Sequence, residues 1–303
     1  MEIYKKHRPQ TPKDLFGQKE AVDVLKGLGQ SGRMPHAMLF SGPSGVGKTT
    51  IARMVARMLK CGAGDLQEIN AAQIVGIDFI RTLQQQAQMY PIAGEARVWI
   101  LDECHKLSAA AQDGLLKLLE DPPSHAYFFL CTTDQQKLKK TIVTRCTEIK
   151  LRLLTDDHIR ALLNKVSAEE EPVTEAVIDK IVTIAGGSAR KALVMYEQVM
   201  GIPSEADQIS ALDMADSSVI SEDLAKQLLA GKDFGTICQI LKQLKDDEPE
   251  SVRRMVLGYA NAVLLNSGGK HKNALAIVMN FQFNFYDSGR SGLTIACWNT
   301  LNG

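Results

Sequence analysis

The sequence predicts an α/β protein in which a parallel sheet, covered by helices on both faces, is followed by helices alone. Three observations predict it. Short apolar runs alternate with segments of helical periodicity through residue 152, strand signals stop after that point, and the glycine-rich run GPSGVGKT (42–49) stands between one apolar run and a helical pattern.

The runs AMLF (37–40), LQEI (66–69), RVWIL (97–101), AYFFLC (126–131) and TEIKL (147–151) have the length and apolar content of buried strands. Between them, IARMVARML (51–59), IDFIRTLQQQAQMY (77–90) and AAQDGLLKLLE (110–120) repeat apolar residues at helical spacing. Segments 155–167, 173–185 and 188–200 read as three amphipathic helices, with Gly186 and Gly187 between the last two and Ser188 placed to cap the third. GIPSEAD (201–207) has linker composition, and 216–230, 233–246, 249–266 and 271–284 read as helices again. The expected domains are 1–152, an α/β domain; 153–203, a small helical domain; and 204–303, an all-helical domain.

Composition bounds the function. With 303 residues and 45% hydrophobic content the chain can fill several cores. Its longest apolar run is too short to span a bilayer, and charges occupy the N-terminus where a signal peptide needs apolar residues. A soluble, intracellular protein with no membrane partner is expected. Six cysteines form no C-x-x-C pair, so buried free thiols are expected rather than a zinc site or a disulfide framework. His36, His105, His125, His158 and His271 show no ligand spacing and read as structural. Lys and Arg outnumber Asp and Glu by 21 to 15 in residues 1–152 and are outnumbered 14 to 20 beyond, which permits a polyanion contact on the N-terminal half or reflects ordinary surface variation.

The chemistry is carried by two motifs. GPSGVGKT fits the phosphate-binding pattern G-x-x-x-x-G-K-[ST] and follows a strand and opens a helix, as its mechanism requires. The loop of Gly42, Pro43, Ser44, Gly45, Val46 and Gly47 wraps phosphates with its backbone N–H groups, and the helix start, with Thr50 in its first turn, adds partial positive charge. Lys48 reaches the β and γ phosphates and the Thr49 hydroxyl binds magnesium. About 60 residues downstream, VWILDE (98–103) ends a buried strand in Asp102, a magnesium-holding carboxylate, and Glu103, which is placed to polarise the attacking water. ATP and Mg2+ are the expected cofactors, and ATP hydrolysis the expected activity. Thr132-Thr133-Asp134 at another strand end puts a hydroxyl beside the γ-phosphate or simply starts a turn; Arg145 and Arg190, read alone, are solvated arginines.

The stretches HRPQTPKDLFGQ (7–18), SGPSGVGKTTIARMVARML (41–59), VWILDECHKLSAAAQDGLLKLLEDPP (98–123), FFLCTTDQQKLKKTIVTRC (128–146) and GGSARKAL (186–193) together resemble the AAA+ ATPase subunits of sliding-clamp loaders. They are most similar to the bacterial gamma/tau subunit, and more distantly to the small subunits of replication factor C. The resemblance implies a AAA+ phosphate-loop sheet, a helical lid and an oligomerising collar. It implies an ATPase stimulated by DNA and by the clamp, which opens a ring-shaped clamp on binding ATP and releases it on primer-template DNA during replication. Other loader subunits in a pentameric ring, the sliding clamp and primer-template DNA are the implied partners, and the cytoplasm, at a bacterial nucleoid or in a phage-infected host, the implied location. By the same resemblance Thr133 is the first sensor, Arg190 on the lid is the second, and Arg145 is a finger completing the neighbouring subunit's site. Tyr4, His7, Arg8 and Pro9 match the segment lying over the adenine, and Gly76, Arg81, Lys106 and Ser108 fall near the starts of two helices that in loaders track DNA phosphates. An equally weighted reading of Arg81 and Lys106 is as solvated helix-face charges.

Two departures stand out. Cys61 is followed by GAGDLQEINAA with no further cysteine, so the four-cysteine zinc module of gamma/tau is not expected, and neither is a long tethering tail. Pro12 stands where the R-P-x-x-F motif usually has an aromatic residue. The competing functions are a non-hydrolysing, stator-like loader subunit, which the intact phosphate loop opposes, and a related AAA+ branch-migration helicase, which would carry a C-terminal winged helix.

Overall fold

A computed structural model describes residues 2–73, 76–245, 247–285 and 288–303, with the backbone alone described at 77, 217 and 218. It divides into two compact units, Met1–Gly201 and Ile202–Gly303.

In the first unit the five expected strands are present: β1 (Ala37–Ser41), β2 (Leu66–Asn70), β3 (Arg97–Asp102), β4 (Ala126–Thr132) and β5 (Thr147–Lys150). They form one parallel sheet ordered β2-β3-β4-β1-β5. Because side chains alternate across a strand, neighbouring residues enter different cores. Leu39, Trp99, Leu101, Phe128 and Leu130 face one side, where they pack with residues of α4 (Ile77–Ala87), α5 (Ala109–Glu120) and α6 (Lys140–Val143). Met38, Phe40, Val98, Ile100 and Phe129 face the other, against α2 (Lys19–Gln30) and α3 (Lys48–Met58). Both faces are dry, which explains why β1, β3 and β4 read as continuous apolar runs. A four-residue helix α1 (Ile3–Lys6), too short to leave a periodic signal in the sequence, buries Ile3 and donates its backbone N–H to Glu197 at 3.2 Å.

The sheet is followed by α7 (Asp156–Glu169), α8 (Glu175–Ala185) and α9 (Ala189–Val199), close to the expected spans. Gly186 and Gly187 both take positive φ and end α8, and the Ser188 hydroxyl caps α9 by accepting from Lys191 N at 3.3 Å.

The second unit contains α10 (Glu205–Leu229), α11 (Phe234–Gln243), α12 (Pro249–Asn266), α13 (Lys272–Phe281) and α14 (Gly289–Asn302). The expected helix at 216–230 therefore begins earlier, and Glu205 to Asp207, read as linker, form its acidic first turn. Its first half is small and polar on several sides, so apolar periodicity underestimates it. Residue 246, expected to end a helix, lies outside the described residues. The unforeseen α14 opens on Gly289 and buries Leu293, Ala296, Cys297 and Thr300, a narrow stripe that includes a small and a polar residue.

A buried ion cluster ties this unit together. Glu250, 4% exposed, accepts from Arg253 Nε at 2.8 Å, Arg253 Nη2 at 2.6 Å, Arg254 Nε at 3.2 Å and Phe285 N at 2.9 Å. Arg253 also donates to Phe281 O at 2.7 Å, so α12 is bound to the end of α13. Its hydrogen bonds to Arg253, with further help from Phe285 N and Arg254, hold the Glu250 carboxyl at about 2 despite burial. A depressed carboxyl contributes stability above its unfolded value of 4.5, and that contribution is lost as pH falls towards about 2. Glu250→Ala is expected to destabilise this unit by about 3 kcal/mol, because it removes the carboxylate that accepts two hydrogen bonds from buried Arg253. Urea denaturation followed by Trp298 fluorescence, with Trp99 replaced by Phe to silence the first unit, measures it; an unchanged midpoint would refute the assignment.

Candidate nucleotide-binding site

The site forms at the C-terminal ends of β1, β3 and β4. The glycine-rich loop turns from Ser41, the last residue of β1, into α3, whose first residue is Lys48. Lys48 is 6% exposed and its ammonium donates to the carbonyls of Gly42 and Pro43, each at 2.8 Å. Burial pushes that ammonium below the usual lysine range, with Glu103 and Asp102 pulling the other way. A cation folded onto its own loop beside the amide-bearing start of a helix is suited to an arriving anion. Gly45 has φ +76, and a Cβ there would collide with the Ser188 hydroxyl and crowd Arg190 Cβ at 3.2 Å. The start of α9 is thus seated on the phosphate loop, and Arg190 N donates to Gly45 O at 3.4 Å.

The acidic side faces Lys48. The Thr49 hydroxyl donates to Asp102 Oδ2 at 3.0 Å, and Glu103 N donates to Asp102 Oδ1 at 3.0 Å. Glu103 adopts left-handed backbone (φ +51), a strained state for a residue with a side chain and one that clusters at functional sites. Its Oε2 accepts from the Thr133 hydroxyl at 3.2 Å and stands 3.4 Å from His105 Nδ1. His105 Nδ1 also lies 3.1 Å from the Thr132 hydroxyl, which accepts from Asp134 N at 3.0 Å. His105, read from its lack of ligand spacing as structural, is bonded to the buried Thr132 hydroxyl from the short turn (Cys104–Lys106) that follows Glu103.

The opposite wall of the cleft is formed by Tyr4, His7, Arg8 and Pro9 with Leu15, Phe16, Leu154, Leu162 and Leu193. The Arg190 guanidinium lies over the Tyr4 ring, 5.4 Å from its centroid, a cation–π contact joining α9 to α1. His7 Nε2 is fixed 2.5 Å from Glu170 Oε1. Burial, then the charge of Arg53, lowers the pKa of Arg8, while Arg53 itself is paired with Glu68. The apolar members of this wall escape the sequence reading; the Leu15-Phe16 pair after Pro12 is their signal, and Pro12 itself starts a one-turn helix (Pro12–Asp14) capped by Thr11 and Asp14.

Ser44 to Thr50, Asp102, Glu103 and Arg190 line this cleft with the N-terminal arm, as expected, while Gly42 and Pro43 contribute the carbonyls that hold Lys48. Thr133 reaches Glu103 but is not among the lining residues. Arg145 stands apart from the cleft: it follows α6, is paired with Glu120 and donates to Thr141 O at 2.9 Å. Ser108 caps α5 by accepting from Ala111 N at 3.2 Å; Gly76 is the cap residue of α4; Lys106 is exposed; Arg81 pairs with Asp78 at 2.9 Å. All six cysteines are free. Among the described residues no helix is long and apolar enough to cross a membrane.

Fold and site define a AAA+ phosphate-loop nucleotide-binding domain. The solved structure of the Thermotoga maritima RuvB Holliday junction branch migration motor matches with a TM-score of 0.58 and 18% identity over 74% of this chain and 79% of that one. A point mutant of the same motor matches at 0.59 with 17% identity, covering 74% and 80%. Sequence narrows the class further. Residues 64–155 match the family model described as DNA polymerase III, delta subunit. The chain is 37% identical to the DNA polymerase III subunit tau of Escherichia coli (strain K12) over 220 residues, 65% of this chain and 34% of that protein. It is 31% identical to the subunit tau of Bacillus subtilis (strain 168) over 272 residues, 80% of this chain and 48% of that protein, and 34% identical to the subunit gamma of Buchnera aphidicola over 222 residues, 66% and 62%. The chain is thus similar to gamma/tau AAA+ subunits, and it spans about a third to a half of the tau relatives' length.

Proposed function

We propose that this chain is an ATP-hydrolysing subunit of a clamp loader, working in a pentameric ring with other loader subunits in the cytoplasm to open a sliding clamp and place it on primer-template DNA. The observation that carries this reading is the division of the catalytic parts. Lys48, Thr49, Asp102 and Glu103 converge on one cleft, while Arg145, just after α6, is paired with Glu120 and is not among the residues lining that cleft. Beside Lys48 and Arg190, a site built this way takes a further cation for the charge that develops on the transferred phosphoryl group, and a neighbour's Arg145 supplies it. Hydrolysis then depends on how subunits are arranged.

Each residue has a role in this reading. Amides of the 42–47 loop and Lys48 hold the β and γ phosphates, and Arg190 and the arm carrying Tyr4, His7, Arg8 and Pro9 hold the nucleoside side. Thr49 and Asp102 present hard oxygen donors already 3.0 Å apart, which fits Mg2+, and the ion when bound neutralises charge on the phosphate oxygens. Glu103 orients and deprotonates the attacking water, and Thr133 senses the γ-phosphate. The domains act as a 1–152 ATPase, a 153–203 lid and a 204–303 collar through which subunits associate. Gly76, Arg81, Lys106 and Ser108, at the starts of α4 and α5, are assigned to phosphates of the DNA backbone.

The test is steady-state ATPase activity with different activators. Turnover is expected to rise when primer-template DNA and a sliding clamp are added together. Stimulation by four-way junctions instead would assign the chain to branch migration, and nucleotide binding without turnover under any condition would make it a stator-like subunit; either result overturns the proposal.

A further inference from the structure

We infer that Glu170, the residue after α7 in the proposed lid, is a positioning residue for the nucleotide: it clasps the N-terminal arm to the lid, so that the wall over the nucleoside closes with the lid. The inference rests on the proposed placing of the nucleoside against this arm. Residues 3–7 are anchored to α9 and to the connection that follows α7. Ile3 N donates to Glu197 Oε1 at 3.2 Å, the Tyr4 ring lies under the Arg190 guanidinium, Lys6 Nζ pairs with Glu170 Oε1 at 2.6 Å, and His7 Nε2 donates to the same oxygen at 2.5 Å. The Tyr196 hydroxyl donates to Glu171 O at 2.7 Å, which fastens that connection to α9. Three residues past His7 the chain changes hosts. Arg57 of α3 donates to Gln10 O at 2.8 Å, and Leu15 packs against the core formed by α2, α3 and the sheet. Arg8 and Pro9 therefore cross from the lid to the α/β core, and the arm is a strap between the two.

Glu170 is the part of this strap that acts without touching nucleotide. His7 lines the cleft, whereas Glu170 does not. The His7 and Glu170 side chains are 6% and 15% exposed, so water competes little for their bond. Hydrogen bonds from Lys6 and then His7 hold the Glu170 carboxyl below its usual range, which keeps it ionised and makes the clasp charge-assisted. On the other side of the imidazole, Glu169 Oε2 stands 3.7 Å from Nδ1, beyond hydrogen-bond reach. A cavity of about 210 Å3 lies between the arm and α7, with Lys6, Gln10, Asp14, Lys165 and Glu169 among its walls. Such a space suits water, so close packing along α7 does little to seat the arm and the polar anchors carry more of that task.

The experiment compares wild type, Glu170→Ala, Glu170→Gln and Lys48→Ala as the whole chain in its assembly. It measures Kd for a non-hydrolysable ATP analogue and for inorganic tripolyphosphate, together with steady-state ATPase activity. Without the clasp the arm is closed for only a fraction of the time, and the apparent Kd rises by the inverse of that fraction. Glu170→Ala is therefore expected to weaken analogue binding about tenfold and to raise KM for ATP to match, at unchanged kcat. Its Kd for tripolyphosphate, which has no nucleoside for the arm to cover, is expected to equal that of wild type. Glu170→Gln, which keeps an acceptor oxygen for His7, is expected to stay within about threefold of wild type. An unchanged analogue Kd in Glu170→Ala overturns the inference, as does equal weakening of analogue and tripolyphosphate, or a Glu170→Gln protein as weak as Glu170→Ala. If wild type binds the analogue no better than Lys48→Ala, the proposed ATP site fails instead.

Discussion

Lys48→Ala is expected to weaken nucleotide binding by about a hundredfold and to remove measurable turnover, whereas Glu103→Gln is expected to bind ATP at the wild-type affinity while losing turnover by about a hundredfold or more. The difference follows from where the two side chains stand. Lys48 is a buried cation whose present partners are two neutral carbonyls, so the β and γ phosphates gain a charge-assisted contact at little cost in rearrangement. Glu103 lines the same cleft and is bonded to Thr133, and in the proposed reading it acts on water rather than on phosphate. Isothermal titration with a non-hydrolysable ATP analogue separates the two outcomes, and a Lys48→Ala protein that binds like wild type would sink the phosphate-loop assignment. The pH dependence has a fixed sign. Burial lowers the Lys48 pKa, so its charge, and with it analogue affinity, is lost as pH rises through that lowered value.

The parts of this protein legible in the sequence are those where one physical rule acts alone. β1, β3 and β4 are readable because both faces of the sheet are buried there, so burial and local composition agree at Met38 and Leu39 alike. The phosphate loop is readable because its glycines, lysine and threonine are required by contacts to a single ligand shape. Other features depend on neighbours distant in sequence. α14 is helical because its narrow stripe of Leu293, Ala296 and Cys297 meets the rest of the second unit's core, and that stripe is not strong enough to be seen in a window. His105 carries no motif of its own; its bond to Thr132 comes from the turn after β3 meeting the end of β4, a juxtaposition that only the folded sheet creates. The same holds for Leu154, Leu162 and Leu193, ordinary amphipathic positions that become a cleft wall because the start of α9 docks on Gly45.

Arg145→Ala is expected to lower ATP turnover of the assembled complex by about a thousandfold while leaving each subunit's own nucleotide affinity unchanged. The magnitude is separable from any effect on folding. The contacts of Arg145 within its own chain are an ion pair with half-exposed Glu120 and one bond to Thr141 O, and exposed pairs of this kind contribute at most about 1 kcal/mol. A melting transition close to wild type therefore accompanies the loss of turnover. Mixing supplies the decisive measurement. Lys48→Ala subunits keep an intact Arg145 but cannot hold ATP, and Arg145→Ala subunits hold ATP but offer no finger. Each is expected to be inactive alone, and hydrolysis is expected to reappear when the two are combined, because only the mixed interface joins a competent cleft to a guanidinium. If Arg145→Ala assemblies hydrolyse ATP at the wild-type rate, or mixtures stay inactive although they assemble, the cation does not cross the interface and the coupling of hydrolysis to ring geometry has to be sought in another residue.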